Sequence, residues 1–138
     1  MDEIIPNLWV GDLPSAMSVQ KLKENKIFSV LTAMRGRITI HETFIRHQIL
    51  LDDEPDADVL MHFLPSINFI DQELGKGRGV LVHCQAGMSR SVTIVAAYLM
   101  WRAKGSLDVQ GALDCIREKR PHIEYVSLHS CQDNSDVS

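Results

Sequence analysis

The segment from residue 80 to residue 103 constrains the fold of this 138-residue chain more than any other. Residues 80–82, Val-Leu-Val, form a continuous apolar run that is typical of a strand buried on both faces of a parallel sheet. A short loop with a glycine near its middle follows, and residues 89–103 are then apolar almost all round, which indicates a buried helix. A buried strand that leads directly into a buried helix predicts an α/β fold.

Further strands and helices follow from the same patterns. Short apolar runs predict strands at residues 7–10, 28–32 and 43–51, and helical spacing predicts helices at 14–25 and 58–74. We expect Pro65 to kink the latter helix or to end its first turns, because proline breaks the helical hydrogen bonding. Gly105 is expected to end the helix of residues 89–103, and Ser106 to cap a last helix that ends before Pro121. The prediction is a three-layer α/β sandwich with a central, mostly parallel sheet.

Composition limits the number of domains and the kinds of partner. The chain is long enough for one domain, which we place at residues 1–124, and residues 125–138 show no period and are expected to form a disordered or atypical tail. A net charge of −4 argues against nucleic acid or an anionic membrane as partner, and no apolar run reaches a membrane span of about 18 residues. The acidic start, Met-Asp-Glu, does not resemble a signal peptide.

The three cysteines are too few and too widely spaced to predict a disulfide framework or a zinc site. We therefore expect a reducing compartment, the cytosol or the nucleus, and no metal or other cofactor. Cys115 lies within a predicted helix and is expected to be a packing residue, and Cys131 lies in the predicted tail. Only Cys84 stands in a sequence context that indicates chemistry.

Cys84 follows the predicted buried strand and precedes a loop that leads into the predicted buried helix. A strand that turns into a helix so quickly curls the loop, so that its backbone N–H groups face inward and bind an anion, aided by the helix N-terminus. Gly87 allows a backbone conformation that a β-carbon would oppose. Arg90 can direct two N–H donors at a tetrahedral oxyanion. The residues predicted to hold phosphate are those of the loop and the helix start: Gln85, Ala86, Gly87, Met88, Ser89 and Arg90.

The same positive field would stabilise a thiolate on Cys84. Cysteines in such settings have pKa values of about 3.5–7.5 instead of about 8.5. An isolated buried cysteine is most often a small hydrophobic residue. Here the strand, Gly87, Arg90 and the following helix agree on the other interpretation, an activated nucleophile beneath a phosphate cradle.

The string His83-Cys84-(x5)-Arg90-Ser91 resembles the signature of the cysteine-dependent protein tyrosine phosphatases. Residues 80–91, followed by Ala-Tyr-Leu-Met at 97–100, are similar to the dual-specificity branch, and the resemblance extends over about residues 4–124. Residues 51–55 (Leu-Asp-Asp-Glu-Pro) and 69–71 (Phe-Ile-Asp) are similar to the catalytic domain of the YVH1-like phosphatases.

The resemblance implies a general acid upstream that protonates the leaving oxygen. Asp53 lies 31 residues before Cys84 and 16 before Phe69, and both separations resemble the family spacing. Asp52 is the alternative. Glu54 is a further candidate, whereas Asp56 and Asp58 are expected instead to cap the helix that follows.

The resemblance also implies supporting roles for two neighbours of the nucleophile. The Ser91 hydroxyl would help to expel the sulfur in a second step, although it could instead cap the helix. His83 would buttress the loop and tune Cys84 without transferring protons. The implied reaction passes through a cysteinyl-phosphate on a protein phosphotyrosine, phosphoserine or phosphothreonine.

Two features bear on substrate and alternatives. The loop residues Gln85, Ala86 and Met88 are uncharged, where lipid-phosphate phosphatases of this superfamily carry lysines, so we expect phosphoproteins as partners.

The tail after Glu124 departs from the family, which continues with a packed helix. This departure keeps open an alternative, a phosphoprotein-binding or scaffolding module with weak turnover. A nucleotide loop at residues 75–79 is disfavoured because the P-loop spacing is absent and a strand follows.

Overall fold

The computed structural model describes residues 1–51 and 59–124, with the backbone but not the side chains of residues 59–62. The predicted tail, residues 125–138, lies outside the described residues. None of the helices in the described part of the chain has the length and apolar character needed to cross a membrane. The strands are β1 (Asp2–Ile5), β2 (Leu8–Gly11), β3 (Ile27–Ala33), β4 (Ile45–Ile49) and β5 (Gly79–His83). The helices are α1 (Leu13–Ala16), α2 (Val19–Glu24), α3 (Val59–Gly75), α4 (Arg90–Arg102) and α5 (Val109–Lys119).

The strands form one sheet in the order β1-β2-β5-β3-β4. Only β1 and β2 are antiparallel, and the other neighbours pair in parallel, with Val80 of β5 beside Leu8 of β2 and Ser29 of β3. The carboxyl ends of four parallel strands therefore meet at one edge of the sheet. The central strand β5 ends there, and Cys84 is the next residue.

Helices cover both faces of the sheet. Alternate side chains of a strand point to opposite faces, and the β5 residues separate accordingly. Val80 and Val82 pack in the larger apolar cluster with α3, α4 and α5, whereas Leu81 packs with Ala16 of α1 and Leu22 of α2. This arrangement confirms the predicted three-layer α/β sandwich with a mostly parallel sheet.

The four predicted strands are found with shifted ends, and β1 was missed. The helix predicted over residues 14–25 is wrong in its continuity, because two short helices lie there. Met17 ends α1, and the Ser18 hydroxyl then accepts a hydrogen bond from the Lys21 N–H to begin α2. Ser18 therefore acts as the N-cap of a second helix, within a stretch whose apolar spacing alone predicts one continuous helix.

Of the two alternatives for Pro65, the one in which it ends the first turns is wrong, because α3 continues through Pro65 to Gly75, with Ile67 and Ile70 buried in the core. The expectation that Ser106 caps the last helix is also wrong. The cap of α5 is Asp108, whose carboxylate accepts the Gly111 N–H at 2.7 Å. The Ser106 hydroxyl instead donates to the Ala103 carbonyl beyond the end of α4.

Candidate active site

The loop between β5 and α4 curls around Gly87. Its φ of +70° lies in the left-handed region, as the position of this glycine predicts. A β-carbon there would lie 2.6 Å from the Gly11 carbonyl oxygen and 2.7 Å from Arg120 Nη2. Both the backbone conformation and the close approach of β2 therefore require glycine at this point.

Cys84 lies buried at the base of this loop, with 2% of its surface exposed. Its sulfur accepts the Gly87 N–H at 3.2 Å. The Ser91 hydroxyl lies 3.3 Å from the same sulfur, close enough to donate to a thiolate. Two donors directed at one sulfur stabilise negative charge on it. The structure thus brings Cys84, Gly87 and Ser91 together as the sequence predicts.

The peptide unit between Ala86 and Gly87 is held from its other end by Arg120. The C=O and N–H of one planar trans peptide point in opposite directions. The Ala86 carbonyl accepts from Arg120 Nη2 at 3.2 Å, and the Gly87 carbonyl accepts from Arg120 Nε at 2.8 Å. With the carbonyls turned toward Arg120, the N–H groups of the same peptides face away from it, and that of Gly87 meets the sulfur.

Arg120 was missed by the sequence analysis. It is only 5% exposed, and its Nη1 forms a 2.6 Å ion pair with Asp2 of β1. The guanidinium therefore ties the first strand to the loop that carries Cys84. An arginine at the end of an amphipathic helix normally reads as a solvated charge, and no feature of the single sequence indicates its burial.

Arg90, the first residue of α4, retains an open donor. Its Nη1 donates to the Leu51 carbonyl at 3.3 Å. Its Nε is buried and has no hydrogen-bond partner among the described residues. Because Arg90 lines the same cleft as Cys84, this open guanidinium donor is placed where it could bind an anionic ligand.

These residues line a cleft of about 160 Å³. Cys84 is among the lining residues, and Arg90 is the only basic one in the described part of the lining. Glu124 also lines the cleft, and its backbone N–H donates to the Met88 carbonyl. The sequence analysis did not single out this acidic residue. The remaining lining residues are Gln85, Ala86, Met88 and Ser89.

His83 is fully buried behind the cleft and does not line it. Its Nδ1 lies 3.2 Å from the Cys84 carbonyl oxygen, and its Nε2 lies 2.8 Å from the Thr32 hydroxyl. Burial lowers the pKa of His83 to about 4, so that the imidazole is neutral at physiological pH. This geometry fits the predicted supporting position and offers no route for proton transfer to a ligand in the cleft.

The predicted general acid lies outside the described residues. Asp53, its alternative Asp52, and Glu54, Asp56 and Asp58 all belong to residues 52–58. The neighbouring described residue, Leu51, is buried and accepts from Arg90 through its carbonyl. The chain thus enters the segment that contains Asp53 from a point in contact with the site.

The expectation that Cys115 packs in the core is wrong, because this residue is exposed on α5. Cys131 lies outside the described residues. Among the side chains described for residues 1–51 and 63–124, no three His, Cys, Asp or Glu lie close enough together to hold a metal ion.

Comparison with known proteins identifies the family. Residues 8–129 match the dual specificity phosphatase catalytic domain. The chain is 36% identical over 121 residues to dual specificity protein phosphatase 22-B of Danio rerio, which covers 88% of this chain and 65% of that protein. It is 37% identical over 121 residues to dual specificity protein phosphatase 1B of Arabidopsis thaliana, covering 87% of this chain and 71% of that protein.

Solved structures agree with this result. The human tyrosine phosphatase-like serine/threonine/tyrosine-interacting protein superposes with a TM-score of 0.87 at 28% identity, covering 99% of this chain and 96% of that one. The Yvh1 phosphatase domain from Chaetomium thermophilum superposes with a TM-score of 0.75 at 32% identity, covering 86% and 83%. The YVH1-like branch is thus one of several members of the family that resemble this chain.

The chain spans about half to two thirds of the length of the vertebrate relatives named dual specificity protein phosphatase 22. The family match nevertheless extends from β2 to beyond α5 and includes the whole loop around Cys84. This chain belongs to the dual specificity phosphatase catalytic domain family.

Proposed function

We propose that this chain hydrolyses phosphotyrosine, phosphoserine and phosphothreonine in proteins through a cysteinyl-phosphate intermediate. The observation that carries the proposal is the arrangement around the Cys84 sulfur. Gly87 and Ser91 direct donors at it, and the open Nε of Arg90 belongs to the same cleft. Such an arrangement suits a nucleophile that attacks an anion bound to fixed donors.

In the first step, the Cys84 thiolate attacks phosphorus. The S–P bond forms while the bond from phosphorus to the substrate oxygen breaks, and that oxygen takes a proton from Asp53. Arg90 and the loop N–H groups hold the non-bridging oxygens. General acids of this kind contribute about 10²–10⁴-fold to the rate. The role of Asp53 comes from the family resemblance.

In the second step, a water molecule attacks the phosphorus of the cysteinyl-phosphate. The water gives a proton to the Asp53 carboxylate, the S–P bond breaks, and inorganic phosphate leaves. The thiolate of Cys84 is restored, and a hydrogen bond from Ser91 stabilises it. Every group returns to its starting state, and the step consumes only water.

The substrate class follows from the lining of the cleft. Among the described residues that line it, Arg90 alone is basic, which suits a single phosphate on a protein better than a multiply charged phosphoinositide headgroup. A cysteine nucleophile needs a reduced thiol, so we also propose that the protein acts in the cytosol or nucleus.

A binding module without turnover is the alternative. It would need the cradle and Arg90 but not a hydroxyl 3.3 Å from the sulfur, and that contact favours hydrolysis.

The exposed Cys115 provides a matched control for a test of the nucleophile. Cys84→Ser should abolish hydrolysis of 4-nitrophenyl phosphate and of phosphopeptides, whereas Cys115→Ser should leave it unchanged, and vanadate should inhibit the wild type. Asp53→Asn should slow turnover without weakening phosphate binding, and Asp52→Asn should not. Turnover retained by Cys84→Ser would reject the mechanism.

A further inference from the structure

We propose that Arg46, on the edge strand β4, is a positioning residue that acts through Thr32 and His83 on the backbone of Cys84. The inference rests on the proposed function. Arg46 Nη2 donates to Thr32 Oγ1 at 3.0 Å, and Thr32 Oγ1 lies 2.8 Å from His83 Nε2. His83 Nδ1 completes the series, 3.2 Å from the Cys84 carbonyl oxygen.

Chemistry sets the direction of every hydrogen bond in this series. A carbonyl oxygen only accepts, so His83 must carry its proton on Nδ1. The neutral imidazole then has a lone pair on Nε2, and the Thr32 hydroxyl must donate to it. Because a guanidinium only donates, Arg46 must supply the proton that Thr32 Oγ1 accepts. One tautomer of His83 satisfies all three contacts.

The fold places the members of this series side by side on neighbouring strands. Thr32 of β3 pairs with His83 of β5, and Arg46 of β4 pairs with Val30, two residues before Thr32 on the same face. A second anchor fixes the guanidinium, because Nη1 donates to the Ile38 carbonyl at 2.8 Å. Arg46 thus connects the outermost strand to the central strand that delivers the nucleophile.

Two charged groups act on His83 from the elements around it, in addition to the adjacent titratable Cys84. Burial lowers the pKa of His83 most, the charge of Arg46 on β4 lowers it further, and that of Asp12 at the start of α1 raises it. Arg46 therefore acts on His83 in two ways: it orients the hydroxyl beside the ring, and it opposes protonation of the ring.

The test combines the His83 tautomer with catalysis. Nitrogen NMR of ¹⁵N-histidine-labelled protein should show only the Nδ1–H tautomer in the wild type. In Arg46→Met, the Nε2–H tautomer should appear, the ring should titrate at higher pH, and kcat for 4-nitrophenyl phosphate should fall about tenfold, as expected for a displaced catalytic loop. Arg46→Lys retains a donor and the charge, and should restore the tautomer and most of kcat.

Gln48 is the matched control. It lies two residues along β4, and its amide donates to the Met34 and Gly36 carbonyls without touching Thr32 or His83. Gln48→Met should keep both the tautomer and kcat. A folded Arg46→Met with only the Nδ1–H tautomer and wild-type kcat would overturn the inference, as would equal losses in Gln48→Met.

Should Arg46→Met fail to fold, Arg46→Gln removes the charge while keeping an N–H donor. His83 should then titrate at higher pH than in the wild type, and an unchanged titration would overturn the inference. The NMR readout needs no turnover. A wild type that does not hydrolyse phosphate esters would reject the proposed function, whereas an unchanged tautomer in Arg46→Met would reject only the role of Arg46.

Discussion

Two charged residues near opposite ends of the central sheet, Glu73 and Arg90, differ in how far protein partners satisfy their polar atoms. At the amino end, Glu73 is 3% exposed and accepts hydrogen bonds from Ser29 at 2.6 Å and from Lys76 and Arg78 at 3.1 Å each. At the carboxyl end, Arg90 keeps a buried Nε without a partner among the described residues. A satisfied charge stabilises the fold, whereas an open donor is available to a ligand.

The largest effect is expected from removing the open donor. Arg90→Lys keeps the charge but cannot present two parallel donors to one phosphate, so kcat/KM should fall by about 10²–10³. The free energy of unfolding should change by no more than about 1 kcal/mol, because Nε has no described protein partner and only the 3.3 Å hydrogen bond from Nη1 to the Leu51 carbonyl is affected. Steady-state kinetics and urea unfolding measure the two quantities. A large loss of stability with little loss of activity would show that Arg90 stabilises the fold and does not bind the substrate.

Substitution of Arg120 should reduce the stability of the fold more than substitution of Arg90 does, because the Arg120 donors bind other protein groups. Arg120→Met leaves the Ala86 and Gly87 carbonyls and Asp2 without their partner, and should lower the free energy of unfolding by about 3 kcal/mol. Activity should fall as well, because the loop loses its anchor. Arg117→Met is the control on the same helix, because Arg117 faces Asp114 in a largely exposed pair. If the two substitutions cost the same stability, the assigned role of Arg120 is wrong.

Glu73→Gln tests the hydrogen-bonded carboxylate at the amino end of the sheet. It should lower the free energy of unfolding by about 2 kcal/mol without changing kcat. Burial raises the pKa of Glu73, but hydrogen bonds from Ser29, Lys76 and Arg78 outweigh it, so that the folded pKa lies below 4.5. The stabilisation is therefore present above pH 4.5 and is lost as the pH falls through the folded pKa. Urea unfolding between pH 3 and 7 should show a weaker acid dependence in the variant, and an unchanged dependence would contradict this cause.

The smallest effect concerns Glu124, the acidic residue among those that line the cleft. Glu124→Gln removes a negative charge from the cleft and should strengthen inhibition by inorganic phosphate about twofold, with less change at high salt. Glu118→Gln alters the net charge equally on exposed α5, outside the cleft, and should have no effect. Equal shifts in the two variants would show that only net charge matters.

Much of the architecture could be predicted because its signals are local. The apolar run of β5 and the apolar helix α4 are continuous in sequence, and together they imply the parallel sheet and the loop between them. The strand β1 was missed because its pairing with β2 depends on a contact between strands. The sequence likewise could not show that α3 continues through Pro65, since tertiary packing outweighs one lost hydrogen bond.

The site was predictable where one segment carries it. Cys84, Gly87, Arg90 and Ser91 lie within eight consecutive residues, and the structure brings them together. Arg120 and Arg46 reach the loop from α5 and β4, so their roles depend on tertiary contacts that a single sequence does not contain. Asp53 remains a prediction from the family resemblance.

Competition between Cys84 and Cys115 for iodoacetate at pH 6 tests whether the cleft holds Cys84 as a thiolate. Mass spectrometry of the wild type should show Cys84 alkylated well before the exposed Cys115, and phosphate or vanadate should protect Cys84 alone. This result would establish a thiolate stabilised by the donors of an anion-binding cleft. Alkylation of Cys84 no faster than that of Cys115, without protection by phosphate, would contradict the account.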